Sequence, residues 1–233
     1  MLYLEKWEKL PEYMKNDEVK KYYDILSKKK ISIFLKRIFD ILFSSIMIVI
    51  FLPIFIFFAI WIKIDSKGPV FYRQERITTN GKKFKIFKFR TMVQDADKKG
   101  SLVTVQDDLR ITNVGKKIRK LRIDEIPQLF NVFLGDMSFV GTRPEVEKYV
   151  DRYTDKMKAT LLIPAGITCT ASIKYKDEDE VIANHIEQGK NIDEVYVEDI
   201  LPEKMKYNFE YLKKFNILED IKVCFDTGIG VLR

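Results

Sequence analysis

The sequence predicts an α/β fold that is mostly helical with a small β-hairpin: a compact cytoplasmic domain attached to an N-terminal re-entrant membrane helical hairpin. Three observations carry this expectation. A run of 22 residues from Ile41 to Ile62 has no charge, Asn80-Gly81 separates two alternating segments, and apolar residues recur at helical spacing on either side of Asp124-Glu125.

Three regions follow. Residues 1–33 read as a polar N-terminal helical extension, with Pro11 near a boundary and Asp17 as a cap before EVKKYYDIL. Residues 34–63 read as the membrane helix. As a helix, Ile41–Ile62 would be about 33 Å long, enough for a hydrocarbon core of about 30 Å, and it exceeds the roughly 10–14 residues of a buried core helix. It does not read as a cleaved leader, because it starts some forty residues in and ends on Lys63 without a small-residue cleavage pattern. Pro53 divides the run into arms of 12 and nine residues. A mid-helix proline removes a backbone hydrogen bond, so a bend is expected there. Five cations precede the run (Lys28, Lys29, Lys30, Lys36, Arg37) and four follow it (Lys63, Lys67, Arg73, Arg76), so charge asymmetry gives it no direction across the bilayer. A bent helix that returns to the same face keeps both flanks cytoplasmic; a kinked span is the alternative that the residues alone leave open.

Residues 64–233 read as the cytoplasmic catalytic domain. VFYRQERIT and KKFKIFKFRTM flank Asn80-Gly81 as a hairpin. Ile111, Val114, Ile118 and Leu121 mark an amphipathic helix over 114–122, and a second helix is expected from near Asp124 to the break at Gly135. Pro144 and Pro164-Ala165-Gly166 mark loops, and residues 202–215 and the stretch from Leu218 read as helices.

Composition narrows the chemistry. His185 is the single histidine, which excludes His-based metal clusters, and Cys169 and Cys224 stand 55 residues apart without a C-x-x-C pattern. All three are placed in no site: a polar-surface histidine and small buried thiols are expected. The mean hydropathy of −0.16 averages two unlike materials. The net charge of +7 is local as well. Residues 63–100 hold eleven cations and four acids, Arg110–Arg122 holds six cations and no acid, and Ser172–Glu203 holds three lysines and ten carboxylates. A basic surface beside a membrane attracts anionic lipid headgroups and phosphate-bearing substrates. KKFKIFKFR reads equally as a half-buried strand with a solvated lysine face, which is compatible with substrate contact.

Asp124-Glu125 follows a cationic helix. Two adjacent acids there are ordinary helix initiation, but Arg119, Arg122 and Arg143 stand nearby in sequence. A carboxylate among cations stays ionised and needs no histidine to activate it. Attack by such a carboxylate on a phosphoanhydride gives an acyl phosphate, its neighbour suits Mg²⁺, and arginines clamp phosphoryl oxygens.

These residues resemble the bacterial sugar transferases of the small monotopic phosphoglycosyl transferase family. The matching pieces are Lys36-Arg37-Ile38-Phe39-Asp40, Gly68-Pro69-Val70-Phe71, Phe87-Lys88-Phe89-Arg90-Thr91-Met92, Asp124-Glu125-Ile126-Pro127-Gln128-Leu129, Gly135-Asp136-Met137-Ser138-Phe139-Val140-Gly141 and Arg143-Pro144-Glu145, in order over about residues 34–168. The resemblance implies an enzyme of the bacterial cytoplasmic membrane, with its catalytic domain on the cytoplasmic face and a re-entrant helix. Asp124 would attack the β-phosphate of a UDP-sugar, release UMP and pass the phosphosugar to polyprenyl (undecaprenyl) phosphate, the first membrane step of a surface polysaccharide or glycoconjugate pathway. It implies Glu125 as the Mg²⁺ ligand, and Lys88, Arg90, Arg119 and Arg143 as phosphate-binding cations. Lys36, Arg37, Asp40 and Pro53 take structural roles in the membrane helix, with Asp40 pairing with Arg37 one turn away. A second copy of the chain or downstream glycosyltransferases would be its protein partners, and no nucleic acid is expected.

The chain departs from the family pattern in three places. Leu52 rather than serine precedes Pro53, Thr142 rather than proline precedes Arg143, and Cys169-Thr170-Ala171-Ser172 replaces Gly-Trp-Ala-Gln. The last change removes the basis for naming a sugar. Two readings from other classes compete: a nucleic-acid binder using residues 82–90, and a non-catalytic membrane scaffold of a glycan assembly complex, which would tolerate Asp124→Asn.

Overall fold

The computed structural model describes residues 3–96, 108–175 and 191–232. Asp97, Lys98, Lys99, the acidic 177–180 run and His185 lie outside the described residues. Among the described residues helix dominates, and the strands form three two-stranded pairs.

The N-terminal residues are not a free extension. Two short 3₁₀ turns, Trp7–Lys9 and Glu12–Met14, lead to helix α1 (Asp17–Ser27). Its cap is Asn16, not Asp17: the Asn16 side chain accepts from the Val19 N–H at 2.9 Å. Leu10, Met14, Val19, Tyr22 and Leu26 enter the largest apolar cluster with Leu161, Leu162, Tyr211 and Phe215. The segment is therefore part of the core despite its polar composition.

Helix α2 (Lys30–Asp65) carries the uncharged run and keeps Pro53 inside one continuous element of 36 residues. Its buried positions are Ile33, Lys36, Arg37, Asp40, Ser44, Phe55, Phe58 and Ile62, and Met47, Ile48 and Phe51 pack between them. Steps of three and four residues keep these on one face, in phase on both sides of Pro53. The opposite face is apolar and bare: Leu42, Ile46, Val49, Ile50, Phe57 and Ile60 are each more than half exposed. Both ends of α2 dock on the same folded unit. Near the N-terminal end, Lys36 Nζ donates to the Val140 carbonyl and to Asp220 Oδ2, each at 2.7 Å. Near the other end, Phe58 and Ile62 pack with Phe89, Val114 and Ile118. Asp40 does not contact Arg37. It accepts instead from Ser138 Oγ (3.0 Å) and the Phe139 N–H (3.1 Å), while Arg37 donates to the Val132 and Phe133 carbonyls (2.6 and 2.8 Å). Each buried charge is satisfied by groups of the domain it docks on, so neither needs the other.

The hairpin forms where Asn80-Gly81 places it. Strands β2 (Glu75–Ile77) and β3 (Lys83–Lys85) pair antiparallel around residues 79–81, with Asn80 at φ 56°. Farther out, β1 (Phe71–Tyr72) pairs with β4 (Lys88–Phe89). Helix α3 (Asn113–Lys120) follows, capped by the Thr112 side chain on the Gly115 N–H. Helix α4 (Gln128–Leu134) starts later than the expected Asp124: Pro127 has no N–H to continue the hydrogen bonding, and Ile123–Glu125 forms a separate 3₁₀ turn before it. Residues 165–166, expected in a loop, belong to strand β6 (Ala165–Thr168), which runs parallel to β5 (Met137–Val140). The two strands are followed and preceded by Gly141 and Pro164, and a Cβ on Gly166 would lie 2.2 Å from Gly141 N. Short apolar parallel strands have no alternation to betray them.

Beyond β5 lie α5 (Glu147–Val150), α6 (Thr170–Lys174), α7 (Ile192–Val195), α8 (Leu201–Lys214) and α9 (Ile217–Leu232), the last two matching the expected helices. Phe139 of β5 packs against all three apolar clusters. The Lys36–Asp220 pair joins α2 to α9 with both side chains at most 5% exposed. Asp220→Leu should therefore cost about 3 kcal/mol or more, since it leaves Lys36 buried without its counter-charge. Thermal unfolding of the full chain should show most of that loss recovered by adding Lys36→Met.

Candidate active site

Strand alternation brings the first cation to the site. Lys82, Lys83 and Lys85 are exposed, as a solvated face requires, but Lys88 shares the side of Phe84 and Ile86, while Phe87 and Phe89 turn their rings to Phe130, Phe55 and Phe58. The acids come from the turn between α3 and α4. Arg122 adopts the left-handed conformation (φ 56°), a strained state for a long side chain, and Ile123–Glu125 forms one 3₁₀ turn. The second cation, Arg143, stands just after β5, where the close approach of Gly141 to Gly166 fixes the departing chain.

The three meet at Glu125. Its Oε1 accepts from Lys88 Nζ at 2.9 Å and from Arg143 Nη2 at 2.5 Å; among the described residues Oε2 receives only a 3.4 Å contact from Arg143 Nη1. Burial pushes the Glu125 carboxyl up, but Arg143 and Lys88 together outweigh it and hold the group well below the usual carboxylate range. Glu125 in turn holds Arg143 protonated against its burial. Burial lowers Lys88 despite Glu125. Asp124 goes the other way from its neighbour. Burial raises it above the ordinary value, Lys88 and Arg119 pull it back, and Glu125 adds to the rise.

Thus Asp124, Glu125, Lys88 and Arg143 converge, with Arg119 on α3 within electrostatic range of Asp124. Arg90 does not join them. Its guanidinium donates to the carbonyls of Lys67 (2.6 Å), Ser66 (2.7 Å) and Ile62 (3.4 Å) and closes the C-terminal end of α2, where helix carbonyls favour a cation. Gly68 (φ 128°) makes room for it, since a Cβ there would lie 1.9 Å from Arg90 Nη1. Lys36, Arg37 and Asp40 are structural, as described above. Arg76, read above only as a flanking cation, and Gln128, read above only as part of the Asp124–Leu129 motif, line one cleft with Lys88, Arg143, Ile86 and Pro144. Arg76 donates to the Pro144 carbonyl (3.2 Å) and to Gln74 Oε1 (2.6 Å). Its place in that motif, three residues after Glu125, is the signal that could have marked Gln128.

Cys169 is buried and within electrostatic range of Arg143, with its Sγ accepting from the Ser172 N–H at 3.3 Å. The 169–172 segment, where the family pattern is broken, therefore borders the site. Cys224 is half-buried, and burial pushes its thiol up to about 11. Among the described residues no three His, Cys, Asp or Glu side chains group as a metal cage. Two adjacent carboxylates suit a hard cation held mainly by substrate phosphates, and Glu125 Oε2 is the oxygen less occupied by cations.

Residues 31–233 match the bacterial sugar transferase family. The chain is similar to the UDP-N-acetylgalactosamine-undecaprenyl-phosphate N-acetylgalactosaminephosphotransferase of Aeromonas hydrophila, at 34% identity over 197 residues that cover 83% of this chain and 43% of the relative. It is similar also to the UDP-glucose:undecaprenyl-phosphate glucose-1-phosphate transferase of Klebsiella pneumoniae, at 31% over 201 residues, 84% of this chain and 40% of the relative. An uncharacterised sugar transferase of Bacillus subtilis is 40% identical over 143 residues, 61% of this chain and 70% of the relative. The chain spans about two fifths of the length of the first two.

The two acids should respond oppositely to neutralisation. Glu125, depressed in the fold, contributes stability that is present above its unfolded value and lost as pH falls through the folded one. Asp124, raised, costs stability as pH rises through its folded value. Glu125→Gln should therefore cost about 1–3 kcal/mol at neutral pH, a range discounted because Arg143 is 36% exposed. Asp124→Asn should leave the melting temperature unchanged or raise it. Equal losses in both variants would contradict this assignment.

Proposed function

The chain belongs to the bacterial sugar transferase family, and from that premise we propose that it is a membrane-bound phosphoglycosyl transferase. It moves a sugar-1-phosphate from a UDP-sugar to undecaprenyl phosphate. The observation that carries this reading is the convergence of Lys88 and Arg143 on Glu125 beside Asp124, a carboxylate that Lys88 and Arg119 draw toward its ionised form. The relatives' names refer to undecaprenyl-phosphate acceptors and to different sugars, N-acetylgalactosamine and glucose. The acceptor is carried over here and the sugar is not.

The chemistry proceeds in two displacements. An Asp124 carboxylate oxygen attacks the β-phosphorus, the bond from that phosphorus to the bridging oxygen breaks, and UMP leaves with the electron pair. The lipid phosphate oxygen then attacks the same phosphorus, the bond to Asp124 breaks, and polyprenyl-diphosphate-sugar is formed. Lys88 and Arg143 bind the non-bridging oxygens and stabilise charge as it develops there. Glu125 keeps both cations aligned and would hold Mg²⁺ through Oε2 together with the diphosphate, and the metal supplies charge neutralisation. Arg119 favours the ionised form of Asp124.

We place the catalytic domain on the cytoplasmic face, with α2 entering and leaving the same leaflet. What supports this is the docking of both ends of α2 on one folded unit, which a helix crossing the full bilayer would not allow, and its bare apolar outer face. The basic helix α3 lies beside its second arm, with Lys117 over the Trp61 ring at 5.2 Å, as suits a headgroup layer.

Incubation with radiolabelled UDP-sugars, Mg²⁺ and undecaprenyl phosphate should release UMP with at least one sugar, and Asp124→Asn should lower the rate at least about 10³-fold as loss of a nucleophile does. No UMP from a broad panel, or normal turnover by Asp124→Asn, would sink the mechanism and favour a scaffold. Cysteines placed at Lys6 and Glu75 should both be labelled from the cytoplasmic side only; labelling from opposite sides would exclude the re-entrant arrangement.

A further inference from the structure

Helix α4 carries two buried amides one turn apart, and they are used differently. Asn131 is fully spent on structure: its Nδ2 donates to the Lys85 carbonyl at 3.0 Å and its Oδ1 accepts from the Phe87 N–H at 2.8 Å, tying the helix to the strands. Gln128 is 2% exposed, yet its Nε2 has no hydrogen-bond partner among the described residues. A buried donor without an acceptor is costly, and folded proteins keep few of them. This one lies in the wall of the cleft shared by Lys88, Arg143 and Arg76. Glu125 bonds Lys88 and Arg143, and Glu145 lies 3.9 Å from Arg76, yet all three cations line the cleft, and N–H donors gathered on one cleft suit an anion. An anion brings acceptor oxygens, which is what an orphan donor lacks.

Resting on the function proposed above, we infer that the Gln128 side-chain amide binds a non-bridging phosphate oxygen of the nucleotide-sugar diphosphate, beside Lys88 and Arg143. A neutral donor suits this place. A further cation there would compete for Glu125, and a carboxylate would repel the diphosphate, whereas an amide adds a hydrogen bond without altering the charge balance. The backbone turn at Ile126-Pro127 sets the amide relative to Asp124, so the same element that presents the attacking group would also fix the phosphate it attacks.

The test compares wild type, Gln128→Met and Gln128→Glu in the full-length protein. Three quantities are measured: the melting temperature without ligand, its shift on adding UDP, and single-turnover UMP formation from UDP-sugar without the lipid acceptor. Gln128→Met removes the orphan donor while nearly keeping its volume, so the ligand-free melting temperature should stay or rise. The UDP shift should shrink, and UMP formation should fall about tenfold or more, the usual effect of losing a hydrogen bond to a charged group. Gln128→Glu keeps the shape and should lose more. A Gln128→Met variant that melts lower without ligand, or that forms UMP within about twofold of wild type, overturns the assignment. Wild type that is neither shifted by UDP nor active on any UDP-sugar overturns the proposed function and this contact together; normal wild type beside a normal Gln128→Met overturns the contact alone.

Discussion

The architecture hangs on how a helix with an apolar outer face buries three charges on its inner one. Taking an ion out of water costs several kcal/mol unless its partners are well placed. Lys36, Arg37 and Asp40 each meet that demand at a different point of the domain. Lys36 reaches Val140 and Asp220, Arg37 the terminal carbonyls of α4, and Asp40 the start of Phe139. Apolar packing alone would let a helix slide or rotate on the domain, because dispersion contacts have little direction. Three buried ions with directional partners permit one register. The docked helix thereby fixes α4, β5 and α9 against one another.

That register reaches the chemistry through two short paths. Strand β5 accepts from Lys36, donates to Asp40 and leads on to Arg143. Helix α4, held at its end by Arg37, begins at Gln128, just after the Asp124-Glu125 turn. At the site itself, adjacent carboxylates are driven apart in character by their surroundings. Glu125 is spent on holding two cations, whereas Asp124 is half-buried and, among the described residues, has no ion-paired cation. One acid is built into the frame, and the other remains available for attack.

Much of this was legible in the residues. The uncharged run, the Asn80-Gly81 turn and the two C-terminal helices stand where local pattern put them, because each signal is local. The acids beside cations were visible as well, and the alternation of KKFKIFKFR concealed one site lysine among solvated ones. Less legible were features set by distant partners. The parallel pairing of β5 with β6 joins segments far apart in sequence and shows only as Gly141 and Gly166. Polar composition hid the role of residues 3–27 in the core, since one side of α1 suffices to bury Val19, Tyr22 and Leu26. Arg90 has the residue type and spacing of a phosphate ligand, and only the fold reveals that Gly68 opens a place for it at the end of α2. Gln128 offered no charge to notice.

The grip of α2 on β5 has a consequence for anyone seeking a water-soluble form of this domain. Excising residues 30–65 would remove the donors that satisfy Val140, Val132 and Phe133 and the acceptor that meets Ser138, and it would strand Asp220. It would also strip the lid from Phe89, Val114 and Ile118. Deletion would thus unmake the catalytic frame along with the anchor. Solubility would have to come from recolouring the outer face, by polar substitutions at positions such as Val49, Ile50 and Ile60, with the inner face left as it is.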